Sequence, residues 1–367
     1  MTEFSDFDRR AMARALELAA LGSATTQPNP RVGCVLARGE RIIAEDWHRR
    51  AGEPHAEALA LRSAAAQARG ATAYVTLEPC SHTGRTPPCA DALIAAGVAR
   101  VVFAVADPDP RVNGGGAGRL QAAGIRVDSG LLAPQAEALN RGFLSRLRRG
   151  RPWLRLKLAA SLDGRTALAN GVSQWITSEA ARDDVQQWRA QSAAILTGSG
   201  TVLADDPALS VRVGAEPRRQ PLRVVLDSGL RTPPVARLLR QSGQTLLFHG
   251  ADAVPAPGLA QAEAALEAIA QAGSAGLDLH AVMQRLAVLQ INEIWAECGP
   301  RLAGSLLREG LVDELILYLA PRLLGADARP LAALHGLQVL PEHPEFEVTD
   351  LRQIGPDVRI MLRPRSR

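Results

Sequence analysis

His55-Ala56-Glu57, followed by Glu78-Pro79-Cys80 and then Pro87-Pro88-Cys89, is the stretch around which the rest of the chain is read. One imidazole and two thiolates are the nitrogen and sulfur ligands that zinc prefers. Three protein ligands leave a fourth tetrahedral position for water, as a catalytic zinc requires. Glu57, two residues after His55, is not expected to be a fourth ligand. It stands where it can carry a proton between that water and a leaving amine. A closed structural zinc knot, or three unrelated buried residues, are the plainer alternatives, and neither has a use for Glu57.

H-x-E followed by P-C-x-x-C marks the zinc nucleobase deaminases, and this stretch resembles that pattern with a wider second half. Eight residues, Ser81 to Pro88, separate Cys80 from Cys89. The wider loop is specific. Thr76-Leu77-Glu78-Pro79-Cys80-Ser81-His82-Thr83-Gly84-Arg85-Thr86-Pro87-Pro88-Cys89 closely resembles the deaminase half of the bifunctional riboflavin-biosynthesis deaminase/reductase family. That family acts on a diaminopyrimidinone carrying a ribosylamino phosphate. The resemblance implies a cytidine-deaminase-like three-layer α/β domain here and a second, reducing domain downstream.

Length and composition agree with two domains. The chain has 367 residues, 47% of them hydrophobic and 22% charged, enough for two cores. Aromatics are only 4%, a poor supply for stacking single-stranded bases, which speaks against a nucleic-acid deaminase with an accessory domain. The 42 basic and 38 acidic residues leave a net charge of +4, suited to a phosphorylated small molecule rather than a long polyanion. Cys34 and Cys298 lie far from each other and from the proposed ligands, so a reducing compartment is expected. Residues 1–6 lack the basic start and apolar core of a signal peptide, and no apolar run approaches a membrane span. The expectation is a cytoplasmic enzyme.

Ser5 to Asp8 reads as a capping box, with Phe7, Ala11, Ala15 and Leu18 at helical spacing before Gly22. Asn29, in Gln27-Pro28-Asn29-Pro30, is by default a turn former; in the resembled family this asparagine lines the deaminase pocket. A hairpin is predicted over 32–45, helices over 55–68, 88–96 and 134–149, and strands over 73–77 and 101–105. The alternation argues for a mainly parallel sheet covered on both faces, with both ligand segments at helix starts that favour thiolate over thiol. Asn113-Gly114-Gly115-Gly116-Ala117-Gly118 invites comparison with a phosphate cradle, yet Arg119 breaks the dinucleotide fingerprint and a loop is expected. Arg148 to Pro152 is the boundary, separating a deaminase domain over 1–148 from a reductase domain over 152–367.

Beyond it, 153–160 reads as a strand, 223–226 and 291–296 as further strands, and 255–276 as a loop with a surface helix. Gly299 to Ser305 is a strand-to-helix turn that could hold a pyrophosphate, or an ordinary turn. As a set these motifs resemble the reductase half of the same family, whose fold is like dihydrofolate reductase. Carried over position by position, the resemblance implies NADPH contacts at Ala159, Trp175, Thr201, Asp205 and Ser228, and along Gly299, Pro300, Arg301, Leu302, Ala303, Gly304 and Ser305. It implies substrate contacts at Ser173, Arg189, Leu209, Arg212 and Glu297. Either arginine could grip a phosphate through its planar fork, or be a solvated surface charge. Cys298 acquires no role.

The resulting expectation is one zinc per chain on His55, Cys80 and Cys89, deamination with Glu57 as proton carrier, then NADPH-dependent reduction of the ribosyl group to ribityl. The expected partners are phosphorylated pyrimidines and further copies of the chain, as a dimer or tetramer, with no nucleic acid and no membrane. A zinc-stabilised binding protein that has lost catalysis is the alternative that Glu57 argues against. One residue stands apart on composition. Lys157 is the single lysine among the 42 basic residues, and strand alternation sets it opposite Leu154, Leu156 and Leu158, toward the expected reductase cleft. It is expected to contact the ribose or its opened form; a chance surviving lysine on a surface strand is the plainer alternative.

Overall fold

The computed structural model describes residues 3–82, 87–110, 112–213, 219–271, 276–338 and 344–365. Thr83 to Thr86 of the quoted motif lie outside them. The chain divides into two compact units, Met1–Gly150 and Arg151–Arg367.

The first unit begins with α1 (Asp6–Ala20), closed by the expected capping box: Ser5 Oγ accepts from Asp8 N–H at 3.1 Å and Asp8 Oδ2 from Ser5 N–H at 2.9 Å. β1 (Gly33–Arg38) and β2 (Arg41–Trp47) form the hairpin. Gly33 lets α1 approach, since a Cβ there would stand 2.0 Å from the carbonyl oxygen of Ala15. Then follow α2 (Ala56–Ala64), β3 (Thr72–Val75), α3 (Cys89–Ala96), β4 (Arg100–Phe103), α4 (Gly115–Ala122), β5 (Arg126–Ser129), α5 (Ala133–Leu139) and α6 (Arg141–Arg149). Gly33 to Ala37 are buried without alternation, the pattern of a strand covered on both faces.

Three expectations change here. The five-stranded sheet, ordered β2-β1-β3-β4-β5, is parallel only across β3-β4-β5; both pairings of β1 are antiparallel, because a tight hairpin starts the sheet. The glycine run is not a loop: α4 begins inside it, with Gly114 as cap. The last helix is broken at Asn140, whose buried side chain pairs with the backbone of Arg31, accepting from its N–H and donating to its C=O, both at 2.8 Å.

The second unit comprises β6 (Trp153–Ser161), β7 (Arg165–Ala167), α7 (Glu179–Gln191), β8 (Ala194–Gly198), α8 (Ser199–Asp205), β9 (Leu222–Leu226), β10 (Thr245–His249), β11 (Ala265–Ala268), α9 (Leu279–Val288), β12 (Glu293–Glu297), α10 (Pro300–Arg308), β13 (Glu314–Ala320), β14 (Arg329–Pro330), β15 (Phe346–Ile354) and β16 (Asp357–Pro364). Nine strands make one sheet, ordered β11-β10-β9-β8-β12-β6-β13-β16-β15, parallel from β11 to β13 and antiparallel beyond. Among the described residues of 255–276 the expected surface helix is absent, and β11 adds an edge strand beside β10 instead. Pairing along β10 overrides the helical preference of the alanines.

β6 is the central organiser. Leu154, Leu156 and Leu158 are buried on one face, each worth about 1.5–3 kcal/mol of hydrophobic burial. Arg155, Lys157 and Ala159 alternate onto the other. There Arg155 is buried between Glu293 (2.5 Å) and Glu314 (2.8 Å), and Ala159 meets a core of Trp188, Trp295 and Tyr318. Lys157 lies opposite the leucines, as its alternation predicts.

Candidate functional site

In the first unit, α2 and α3 bring the ligand set together. His55 is the cap of α2 and Cys89 the first residue of α3. Cys80 is not at a helix start; it lies in the loop after β3. The start of α3 reaches it all the same, because the Cys89 N–H donates to Cys80 Sγ at 3.3 Å. His55 Nδ1 stands 3.7 Å from Cys80 Sγ and 3.4 Å from Cys89 Sγ, and the three ligand atoms lie within 4.8 Å of one another. One nitrogen and two sulfur donors so converged fit a zinc ion.

Electrostatics at the cluster follow from crowding. The hydrogen bond from Cys89 and the imidazole of His55 hold the Cys80 thiol down to about 4, against burial. The same hydrogen bond to Cys80, with burial, pushes Cys89 up. Glu57 is 3% exposed, and burial raises its carboxyl above the usual range despite the pull of His55. Its Oε2 has no hydrogen-bond partner among the described residues. Such an oxygen is expensive to bury unless something else uses it.

Two residues here escaped the sequence. His48, 3% exposed, stacks edge-on against His55 with ring centroids 5.4 Å apart. Its Nδ1 lies 3.2 Å from the Pro54 carbonyl, which can only accept, so we assign the proton to Nδ1 and leave Nε2 to accept from Asn29 Nδ2 at 3.1 Å. Burial lowers the basicity of His48. Asn29 is therefore held through its side chain, beyond shaping a turn. Glu78 is the other residue, a buried carboxylate two positions before Cys80. No spacing signal flagged either one.

In the second unit the implied residues gather at the carboxyl ends of parallel strands, where open α/β sheets hold ligands. Ala159 is near the end of β6, Ser228 follows β9, and Gly299 follows β12 as the cap of α10. A Cβ on Gly299 would stand 3.9 Å from Thr201 Oγ1 in α8, so the two helix starts adjoin. Burial raises the Asp205 carboxyl, against the opposing pull of Ser173. Trp175 is 63% exposed, with the Arg182 guanidinium 4.5 Å from its ring. Arg301 is exposed, Leu302 and Ser305 are half-buried, and Pro300 opens the helix. Ala303 and Gly304 are buried, and a Cβ on Gly304 would meet the Ala333 carbonyl oxygen at 2.2 Å, so that side of α10 faces inward.

Glu297 and Arg189 form the charged centre. Arg189 Nε and Nη2 donate to the two Glu297 oxygens at 2.6 and 2.9 Å, Nη1 to the Ser210 carbonyl at 3.2 Å, and Trp295 Nε1 to Glu297 Oε1 at 2.8 Å. Leu209, buried, adjoins Ser210. The Nε edge of the guanidinium is engaged by Glu297, and Arg212 is exposed. Burial works against Glu297, but the Arg189 charge, aided by Lys157, holds it at about 2. Lys157 pairs in register with Glu297 on the neighbouring strand and lies 6.0 Å from the Tyr318 ring. Burial, with Arg189 nearby, lowers its pKa while Glu297 partly restores it. Burial, with the neighbouring Glu297 charge, pushes the adjacent Cys298 thiol up to about 12.

Residues 5–105 match the cytidine and deoxycytidylate deaminase zinc-binding region, and residues 152–360 match the RibD C-terminal domain. The chain is 54% identical to riboflavin biosynthesis protein RibD of Escherichia coli (strain K12), over 97% of this chain and 99% of that one. It is 46% identical to RibD of Haemophilus influenzae over the full length of both. Among solved structures, Acinetobacter baumannii RibD, form 1, superposes with a TM-score of 0.91 at 43% identity, covering 98% of this chain and 99% of that one. The Thermotoga maritima deaminase/reductase does so at 0.86 and 32%, with the same coverage. The two units have the cytidine-deaminase-like and dihydrofolate-reductase-like folds, and the substrates are small pyrimidines. Among the described residues no helix is long and apolar enough to cross a membrane. With a zinc deaminase region, a reductase domain and full-length relatives of one kind, the chain belongs to the bifunctional riboflavin-biosynthesis family, enzymes that use zinc to deaminate a ribosylaminopyrimidinone phosphate and NADPH to reduce its ribosyl group to ribityl.

Proposed function

We propose that His55, Cys80 and Cys89 hold the zinc and that Glu57 carries the proton of the deamination. Zinc, when bound, supplies the charge that lowers the pKa of water toward neutrality. Glu57 takes a proton from the attacking water and delivers it to the amino nitrogen, which leaves as ammonia while the ring carbon keeps the oxygen. The observation that carries this reading is the buried Glu57 Oε2, without a partner among the described residues, beside the converged donors. Asn29, held by His48, orients the ring.

In the second unit, Lys157 and Glu297 lie against the opened ribose, and Lys157 polarises the carbon that accepts hydride. NADPH supplies that hydride. Ala159, Trp175, Thr201, Asp205, Ser228 and the Gly299 to Ser305 turn hold the cofactor; their gathering at strand ends supports this. Ser173, Arg189, Leu209 and Arg212 contact the substrate, and Arg189 also fixes Glu297. Residues 1–148 thus deaminate and 152–367 reduce, a division supported by the compact units and the two matched families. The enzyme works in the cytoplasm as a dimer or tetramer, without membrane or nucleic-acid partners.

The test is chelation. Removing the metal should abolish deamination and leave NADPH oxidation on the already deaminated substrate intact. A chelator that removes both activities without unfolding the protein refutes the assignment.

A further inference from the structure

The glycine run 113–118 has no part in the chemistry above, and the structure shows what occupies it. Glu78 Oε2 accepts from the backbone N–H groups of Asp107 (3.3 Å) and Gly114 (3.1 Å), and Oε1 accepts from Ala117 N–H at 3.1 Å. The start of α4, the place of the candidate phosphate cradle, is filled by the chain's own carboxylate. Glu78 is 3% exposed and has no Lys or Arg ion pair among the described residues, so these N–H groups and the helix dipole are its compensation. The fit extends to the next residues. A Cβ on Gly116 would meet the Pro79 carbonyl oxygen at 1.9 Å, and one on Gly115 would meet Ser81 Oγ at 2.7 Å. Glu78 N–H in turn donates to the Val105 carbonyl at 2.9 Å, at the end of β4.

We propose that Glu78 is a positioning residue for Cys80, clamping the ligand loop 78–81 onto the N-terminus of α4, and that Gly115 and Gly116 are small so that the clamp can close. The inference rests on Cys80 being a zinc ligand. The loop after β3 has no regular structure of its own, so Cys80 is held by individual contacts. The start of α3 grips Cys80 itself, with the Cys89 N–H on its sulfur at 3.3 Å and the Ala90 N–H on its carbonyl at 3.2 Å; Glu78 grips the loop two residues before it. Without Glu78, the loop costs entropy to order each time the metal binds.

The test measures metal binding in the full chain. Outer-shell substitutions at metal sites cost about 10–100-fold in affinity, and Glu78→Ala should fall in that range in equilibrium competition with a chromogenic chelator. Glu78→Gln keeps the length and can keep up to two of the three bonds, so it should fall between wild type and Glu78→Ala. Gly116→Ala, remote from the metal, should behave like Glu78→Ala. With cobalt(II) in place of zinc, the thiolate charge-transfer band should shift in Glu78→Ala, which a merely destabilised domain would not show. Reductase turnover should be unchanged in all three. A wild-type zinc competition curve and cobalt band in Glu78→Ala overturns the inference. So does zinc loss in Glu78→Gln equal to that in Glu78→Ala with an unshifted cobalt band. Zinc retained at full affinity by Cys80→Ser would instead fail the ligand assignment underneath it.

Discussion

The two sites are built over very different lengths of chain. The deaminase constellation, with His48, His55, Glu57, Glu78, Cys80 and Cys89, comes from one hairpin end, two helix starts and one loop in near succession. The proposed reductase constellation draws on Lys157, Ser228, Glu297 and Gly299, which lie in or just beyond β6, β9 and β12, and on Arg189 of α7, which pairs with Glu297; these strands lie in one sheet, parallel and around β8. A local site can be written as a motif; a strand-end site is written in the topology. The first should therefore fail sharply when one residue changes, and the second by degrees.

Glu57→Gln puts the sharpest strain on that contrast. It preserves shape and removes the proton carrier, so deamination should fall on the order of a hundredfold or more, with zinc content and reduction unchanged. Loss of the metal in this variant would make Glu57 a ligand and blur the distinction.

In the reductase crevice, Lys157→Arg and Lys157→Met should each lower reduction on the order of tenfold, equal to ~1.4 kcal/mol, with NADPH affinity and deamination held. A guanidinium is too wide and planar to replace a point charge against Tyr318. Wild-type turnover in Lys157→Arg would end that role and leave the crevice to Glu297 and Arg189.

Acid offers a smaller effect with a defined sign. Glu297 is held at about 2, below its ordinary 4.5, by Arg189 and Lys157. A depressed carboxyl contributes stability that is complete above 4.5 and lost as pH falls toward 2. The acid limb of unfolding of the second unit should therefore flatten in Glu297→Gln, as followed by near-ultraviolet circular dichroism between those limits. An unchanged limb would mean the ion pair contributes nothing that acid can remove.

The smallest expected change is from cutting the chain. A fragment beginning at Arg151 should reduce the deaminated substrate within about twofold of the full chain, since Arg151 is itself anchored in the second unit by Asp313 at 2.9 Å and a self-contained core needs no neighbour. An insoluble fragment, or one blind to NADPH, would show that the two sites share more than a polypeptide.

What could be read in advance follows the same divide. The capping box at Ser5 and the hairpin after Val32 were legible because each depends on neighbours a few residues away, and His55, Cys80 and Cys89 because their flanking residues form a motif. The face of Lys157 was legible because strand alternation has a period of two. Where neighbours are distant, sequence and structure differ. The glycine run reads as a loop in sequence because Glu78, its partner, is remote from it. The break at Asn140 depends on Arg31, and the strand at Ala265–Ala268 on the exposed edge of β10.

By itself, the sequence supplied a donor set that suits zinc and a carboxylate two residues from His55, both properties of local covalent spacing; the deamination and the reduction followed from the resemblance those residues carry to a known family. The tertiary structure alone decided how those groups are charged and held. It pairs Arg189 with Glu297, leaves Glu57 Oε2 buried, and fills the start of α4 with Glu78. The reason is physical. Burial and partner choice set the energy of a charged group, and both are fixed only when segments far apart in the chain come into contact.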